Sequence, residues 1–252
     1  MTVLESSELS HRTWPLPWFP SVMRMKWHRL LFLHWKVDAK QIEKLIPSRL
    51  KVDLFQGEAW IGLVPFYMTG IGPHYVPPLP GLSAFPELNV RTYVTDGNKP
   101  GVWFFSLDAT HRIAVRFART FFHLKYMDAE ISMSEDRGDE DWIDFASRRV
   151  HRGEPAGEFQ VRYRPRGEER ITKEGTLEHW LSARYCMYMA SKRGAIYRGE
   201  IDHPPWCIRD AEATIQTNTM TRHLGFDTET AAPIAHYAHL TPVRAWYKQR
   251  VY

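Results

Sequence analysis

The segments ELNVRTYV (87–94) and GVWFFSLDA (101–109) flank TDGNKP, and no other feature limits the fold as strongly. Both are rich in β-branched and aromatic residues, which favour pleated surfaces. The Asp96-Gly97 pair between them suits a tight hairpin turn. Similar segments recur along the chain. KWHRLLFLHWKV (26–37) is a strand candidate, LKVDLF (50–55) and EAWIGLVPFYMT (58–69) read as another pair, and Pro65 marks an edge or a bulge. WIDFASRRV (142–150) and GEFQVRYRP (157–165) alternate, and ARYCMYMA, GAIYRGEI, WCIRDAEATIQ and VRAWYKQ form a late series. Ten Trp, eleven Tyr and thirteen Phe fit this picture, since rings fill β-rich cores and line small-molecule pockets.

Helices are few. Asp38 caps a short one through about Ile46, which Pro47 ends. HRIAVRFARTFFHL (111–124) predicts the longest, with Ile113, Phe117, Phe121 and Leu124 on one stripe. TLEHWLS (176–182) starts at a Thr176 cap, and a last short helix lies around Thr219–Leu224. Residues 1–22, with Pro15, Pro17 and Pro20 among Trp14, Trp18 and Phe19, read as an extended arm whose rings dock on the body or on a neighbouring subunit. The Gly/Pro-rich stretch 70–86 reads as an irregular loop of the kind that covers sites. The expected organisation is this arm followed by one mainly β (α+β) domain over 23–252.

Several function classes drop out on composition. The formal charge of +4 never gathers into a basic tract, so no nucleic-acid partner is implied. No run approaches the roughly 20 apolar residues of a membrane helix. The N-terminus lacks the pattern of a signal peptide. Two cysteines cannot build a disulfide framework, and a soluble cytoplasmic protein is the expectation. Gly70-Ile71-Gly72 runs into Pro73 and lacks the rest of a phosphate-cradling loop. His236 and His239 would point to opposite faces of a strand, and the other histidines are scattered, so no metal site is expected. The run around Arg137-Gly138-Asp139 reads as a solvated hairpin tip.

Three polar groupings stand out. Glu87, Asn89 and Arg91 share one face of a strand whose other face, Leu88, Val90 and Thr92, is more apolar. Such a stripe either lines an interior, where it must be hydrogen-bonded or hold a ligand, or faces water; the pattern leaves both open. Arg116 and Arg119 lie near Lys125 and Tyr126. In His203-Pro204-Pro205-Trp206 the prolines fix an extended turn beside an aromatic.

The order ELNVRTYV, PGVWFFSLDA, ARTFFHLKY, ARYCMYM, GAIYRGEIDHPPW and HYAHLTPVRAWY resembles the YqjF-like family of bacterial proteins, part of the acetoacetate decarboxylase-like superfamily. The similarity runs from about Met25 to Tyr247. It implies a cone-shaped antiparallel β-barrel with a few flanking helices and a central pocket. True decarboxylases carry Gly-Arg-Glu, then Tyr-Pro-Lys-Lys, whose first lysine forms a Schiff base. Laid on this chain, the first stretch falls on Ala118-Arg119-Thr120 and the lysine pair on Tyr126 and Met127. The decarboxylases' catalytic glutamate falls on Glu87, and their pocket arginine on His28 or Arg29. The imine-forming amine is therefore missing, and Lys125 stands one residue early.

On this basis Glu87, Tyr126 and Arg119 are the candidate catalytic residues. Arg29, Arg91, Lys125, His203 and Trp206 are the candidate substrate-binding residues. Neither a cofactor nor a metal is implied. Two readings follow. One is an enzyme acting on a small oxo or carboxylic acid by acid/base chemistry, such as enolisation, hydration or dehydration. The other is a non-catalytic small-molecule binder or sensor. The resemblance also implies that the chain can form a homo-oligomer, as its decarboxylase relatives do.

Overall fold

A computed structural model describes residues 11–73, 83–136 and 141–252, apart from the side chains of residues 113, 114, 117, 118 and 121. The start of the arm, the centre of the Gly/Pro-rich stretch, the Arg137-Gly138-Asp139 tip, and Ile113, Phe117 and Phe121 of the helical stripe lie outside the described residues.

The chain opens with β1 (Met23–Val37), helix α1 (Ala39–Glu43), β2 (Lys51–Val52), β3 (Ala59–Pro73), β4 (Phe85–Thr95) and β5 (Pro100–Ala109). Helix α2 (Arg112–Phe117) runs into a π-helical turn (Ala118–Phe122), followed by β6 (Tyr126–Glu135), β7 (Ile143–Arg149) and β8 (Glu158–Ile171). Helix α3 (Leu177–Ser182), β9 (Cys186–Ala190), β10 (Ile196–Asp202) and β11 (Cys207–Asn218) come next. A 3-10 turn (Arg222–Leu224), β12 (Ile234–Ala245) and β13 (Gln249–Arg250) complete it. Local chemistry accounts for several boundaries. The Asp38 carboxylate accepts the Lys40 N–H at 2.9 Å and starts α1. The Asp96 Oδ1 accepts the Asn98 and Lys99 N–H groups at 3.0 and 2.9 Å, and Gly97 has φ 91°, which sets the β4–β5 turn.

Three expected elements differ. The irregular loop expected over 70–86 is strand at both ends, since β3 continues through Pro73 and β4 begins at Phe85. The strand over 50–55 shrinks to Lys51–Val52, an edge strand that pairs only with β4; Asp53 leaves the ladder to meet Arg184 at 2.5 Å. The helix over 111–124 is a short α-helix plus the π-turn, because His123 adopts φ 55° and turns the chain into β6.

The fold is mainly β and cone-like, and its antiparallel ladders are interrupted by short parallel contacts of β5 with β6 and β9. Pairing runs from β4 to β5, β9, β10, β12, β1, β3 and back to β4, so these strands surround an interior. A second stretch, β5–β6–β7–β8–β11–β12, flanks it. Irregularities in the ladders decide which side chains turn inward. The β1–β3 register shifts between His28 and Leu33, where Arg29 has φ 52° and Pro65, which lacks an N–H, sits opposite. Met23, Met25 and Trp27 face the interior before the bulge, and Leu30 and Phe32 after it. Leu31, Leu33 and Trp35 therefore join the larger core with Phe145, Phe159, Tyr163 and Tyr237. Each such buried side chain contributes roughly 1.5–3 kcal/mol.

Helix α3 caps one end of the interior. Its Thr176 hydroxyl accepts the His179 N–H at 3.4 Å. Its last carbonyls, which a helix cannot satisfy itself, are taken up by side chains: Trp180 by Arg184, Leu181 by Arg91 and Tyr93, Ser182 by Trp206. From the other side the arm docks on its own chain. Arg12 is buried and donates to Asp202 at 3.0 Å, Glu200 at 3.2 Å and the Ile201 carbonyl at 2.7 Å, and Trp14 donates to Glu200 at 2.9 Å. Trp18 stays exposed. No helix among the described residues is long and apolar enough to cross a membrane.

Candidate functional site

The ring of strands encloses a cavity of about 210 Å³. Most of its wall is apolar: Trp27, Leu30 and Phe32 from β1, Val64, Phe66 and Met68 from β3, Phe104 and Leu107 from β5, and Met187 and Met189 from β9. Glu87, Asn89 and Arg91 enter this wall together from β4. The polar stripe thus faces inward, while Leu88 and Val90 on the other face belong to the larger core.

Glu87 is buried, and the Tyr126 hydroxyl donates to its Oε2 at 3.0 Å. Burial pushes the Glu87 carboxyl up to about 8; Tyr126 and Asn89 hydrogen bonds oppose the rise and the nearby Asp108 charge adds to it. The carboxyl is therefore mostly protonated at neutral pH. Burial and the neighbouring carboxyl hold the Tyr126 phenol well above its ordinary value, so it remains a donor. Arg91 donates through Nη2 to the Leu181 carbonyl at 3.2 Å and the Tyr93 hydroxyl at 3.4 Å, and its guanidinium lies over the Phe32 ring. His203 and Trp206 also line the cavity. The His203 Nδ1 donates to the Pro204 carbonyl at 2.8 Å, and burial lowers its pKa to about 4, which keeps the ring neutral. Trp206 donates to the Ser182 carbonyl at 2.7 Å and stands edge-on to Phe32.

The structure therefore gathers Glu87, Tyr126, Arg91, His203 and Trp206 around one cavity; Arg29, Arg119 and Lys125 are placed elsewhere. Arg29 sits at the β1 bulge, which breaks the inward alternation, and its guanidinium pairs with Glu135. Arg119 extends from the π-turn to the backbone carbonyl of Tyr126 at 2.6 Å and toward Glu154 at 3.7 Å, so it braces β6 from outside the cavity. Lys125 precedes Tyr126 and points to the opposite side, its ammonium 5.9 Å from the centre of the Trp103 ring. Lys248 also lines the cavity, with its ammonium over the Tyr197 and Tyr247 rings at 5.2 and 5.7 Å from their centres.

Sequence reasoning missed Arg184, which follows α3 and lines the cavity. Its Nη1 donates to Asp53, its Nε to the Trp180 carbonyl at 2.7 Å, and its plane stacks 4.1 Å from the Trp180 ring. It also missed His34 and Tyr93, whose side chains meet at 2.7 Å beneath Arg91. The spacing Trp180-x-x-x-Arg184 was the available signal, since it lets the guanidinium fold back over the ring. A more open groove of about 720 Å³ adjoins the cavity at Met25 and His203. It is the larger space, but the buried acid–phenol pair lies only in the cavity wall. Among the described residues no group of three or more His, Cys, Asp or Glu side chains could hold a metal.

Comparison with known proteins places the fold and the family. YqjF of Bacillus subtilis, described as an uncharacterized protein, is 44% identical over 225 residues, covering 89% of this chain and 90% of that one. The acetoacetate decarboxylase of Legionella pneumophila superposes with a TM-score of 0.64 at 10% identity, covering 100% of this chain and 96% of the other. The enduracididine biosynthesis enzyme MppR, complexed with pyruvate, superposes with a TM-score of 0.63 at 9% identity, covering 93% and 91%. These structural likenesses establish an acetoacetate decarboxylase-like fold. The model of the family DUF2071, described as an uncharacterized conserved protein (COG2071), matches residues 24–242, and the chain belongs to that family.

Proposed function

We propose that the cavity binds a small oxo or carboxylic acid and that Glu87 exchanges a proton with it, with Tyr126 as its partner and no covalent amine. The observation that carries this reading is the buried Glu87 carboxyl, held near a pKa of 8 and hydrogen-bonded to a phenol inside a mostly apolar cavity. An acid whose pKa lies close to working pH can both accept and return a proton. In enolisation, ionised Glu87 takes a proton from the carbon beside the carbonyl; the C–H electron pair becomes the new C=C bond and the C=O π pair moves onto the oxygen. The Tyr126 hydroxyl, next to Glu87, turns to donate to the new oxyanion. The reverse steps return the proton. Pyruvate in the related MppR structure supports a ligand of this class.

A second reading, a binder without turnover, is favoured by Tyr126 standing where the decarboxylases carry their amine and by the outward direction of Lys125. Proton exchange separates the two. Pyruvate and acetoacetate are incubated with enzyme in deuterated buffer, and loss of the carbon-bound proton signal is followed by NMR. Exchange by the wild type, abolished in Glu87→Gln, supports catalysis. Its rate rises about tenfold from pH 7 to 9, as the base form of an acid of pKa about 8 fills. Ligand-induced thermal stabilisation without exchange supports the binder.

A further inference from the structure

Arg91 is a buried cation with no counter-ion. Among the described residues no carboxylate lies within ion-pair distance of it; its hydrogen-bond partners are a backbone carbonyl and a phenol. Its neighbour on the strand face, Glu87, is mostly neutral at pH 7. The other carboxylate in the wall, Glu200, is already engaged by Arg12 and Lys99 at 3.2 and 2.6 Å. Buried charges in proteins are ordinarily paired, because an isolated ion loses several kcal/mol of hydration. Arg184, whose charge is met by Asp53, lines the same cavity on its rigid stack against Trp180. Each guanidinium also keeps one buried nitrogen without a hydrogen-bond partner, Nε of Arg91 and Nη2 of Arg184. Asn89 Oδ1 is a buried acceptor in the same condition.

We infer that Arg91 and Arg184 form a two-guanidinium seat for one carboxylate, and that the ligand is a small monocarboxylate with an apolar body. This rests on the proposed function above and narrows its substrate class. The seat has one unneutralised charge, so it takes one anionic group. The polar groups beside the seat on β4, the Glu87 carboxyl and Asn89 Oδ1, are poor partners for a second. The wall of Phe32, Val64, Phe66, Phe104 and Leu107 takes an alkyl body rather than further charge. The carbon next to the seated carboxylate then faces the same strand face that carries Glu87. Each guanidinium, fixed by its other hydrogen bonds, turns a free N–H on the carboxylate from a set direction, which a lysine ammonium would not.

Calorimetric titration at pH 7 with three probes tests this: 3-methyl-2-oxobutanoate (one carboxylate), 3-methylbutan-2-one (none) and 2-oxoglutarate (two). The wild type is expected to bind the first at least tenfold more tightly than the others. Arg91→Met loses at least tenfold for the first probe and, without ligand, melts at or above the wild-type temperature because an unpaired buried cation has gone. Arg184→Lys keeps the charge but loses the fixed Nη2 donor, and also weakens binding. Glu87→Gln keeps binding even as it loses proton exchange, which separates failure of the seat from failure of the acid/base reading. Equal binding of the ketone, tightest binding of 2-oxoglutarate, unchanged binding by Arg91→Met, a lower melting temperature of ligand-free Arg91→Met, or no binding of any probe to the wild type would each overturn the inference.

Discussion

Replacing Glu87 by glutamine keeps the size of the side chain and its capacity to accept the Tyr126 hydrogen bond, but removes its proton equilibrium. Carboxyls of this type titrate near 4.5 in ordinary surroundings, and burial raises Glu87 to about 8. The folded chain therefore holds this proton more tightly than the unfolded chain. Stability from that difference is complete below pH 4.5 and is lost as pH rises through about 8. Each pH unit inside the window costs about 1.36 kcal/mol, so the wild type loses about 3 kcal/mol through this group between pH 4.5 and 7. Glu87→Gln has no such loss. Urea denaturation of both proteins across the window should show the variant gaining about 3 kcal/mol on the wild type by pH 7, since the other titrations are common to both. A stability difference that stays level within about 1 kcal/mol would refute the argument, because the carboxyl would then be ionised and solvated in the native protein.

Other outcomes follow from the same geometry. Borohydride reduction with pyruvate or acetoacetate should leave the protein mass unchanged, because Lys125 points toward Trp103 and the Lys248 ammonium lies over the Tyr197 and Tyr247 rings; an adduct on either lysine contradicts this placement. Asp108→Asn strips the counter-charge from buried Arg149, which is held bidentately at 2.6 and 2.8 Å, and should cost about 3–5 kcal/mol in denaturation experiments. Gly101→Ala should destabilise by about 1–3 kcal/mol, since a Cβ there would stand 2.7 Å from both the carbonyl oxygen and the sulfur of Cys186. The His203 ring should remain neutral in NMR titration down to about pH 4. Its stabilising contribution is present above pH 6.5 and is lost as pH falls toward 4, so protonation near 6.5 would show that the ring is solvated.

Much of the fold was legible because local rules agree with the tertiary result. The Asp96-Gly97 hairpin, the Asp38 and Thr176 caps and most strands follow from turn chemistry and alternation. The failures have local causes. LKVDLF alternates like a strand, but Asp53 is recruited by a guanidinium 131 residues away, and positive φ at Gln56 and Gly57 folds the chain back immediately. In HRIAVRFARTFFHL the helical period continues past the point where a π-turn and His123 redirect the backbone.

The site was legible where alternation holds and illegible where it breaks. Glu87, Asn89 and Arg91 keep their alternation along β4, whose pairing with β3 is regular and whose shift against β5 at Val90/Arg91 puts the extra residue in β5, so their common face could be read from spacing alone; the direction of that face could not, because β4 is buried on both sides. Arg29 was misplaced because one extra residue in β1 reverses inside and outside, and nothing in KWHRLLFLHWKV marks where. The same bulge admits Leu30 and Phe32 to the cavity while sending Leu31 and Leu33 to the other core. Arg184 escaped notice because its role depends on α3 closing the end of the ring, a contact between segments about 90 residues apart in sequence. A single strand thus packs apolar side chains into one core and holds an acid, an amide and a guanidinium in the wall of a cavity. The larger core can bear this because Leu88 and Val90 remain fully packed on the far face, so the ionisable stripe is desolvated without opening the sheet.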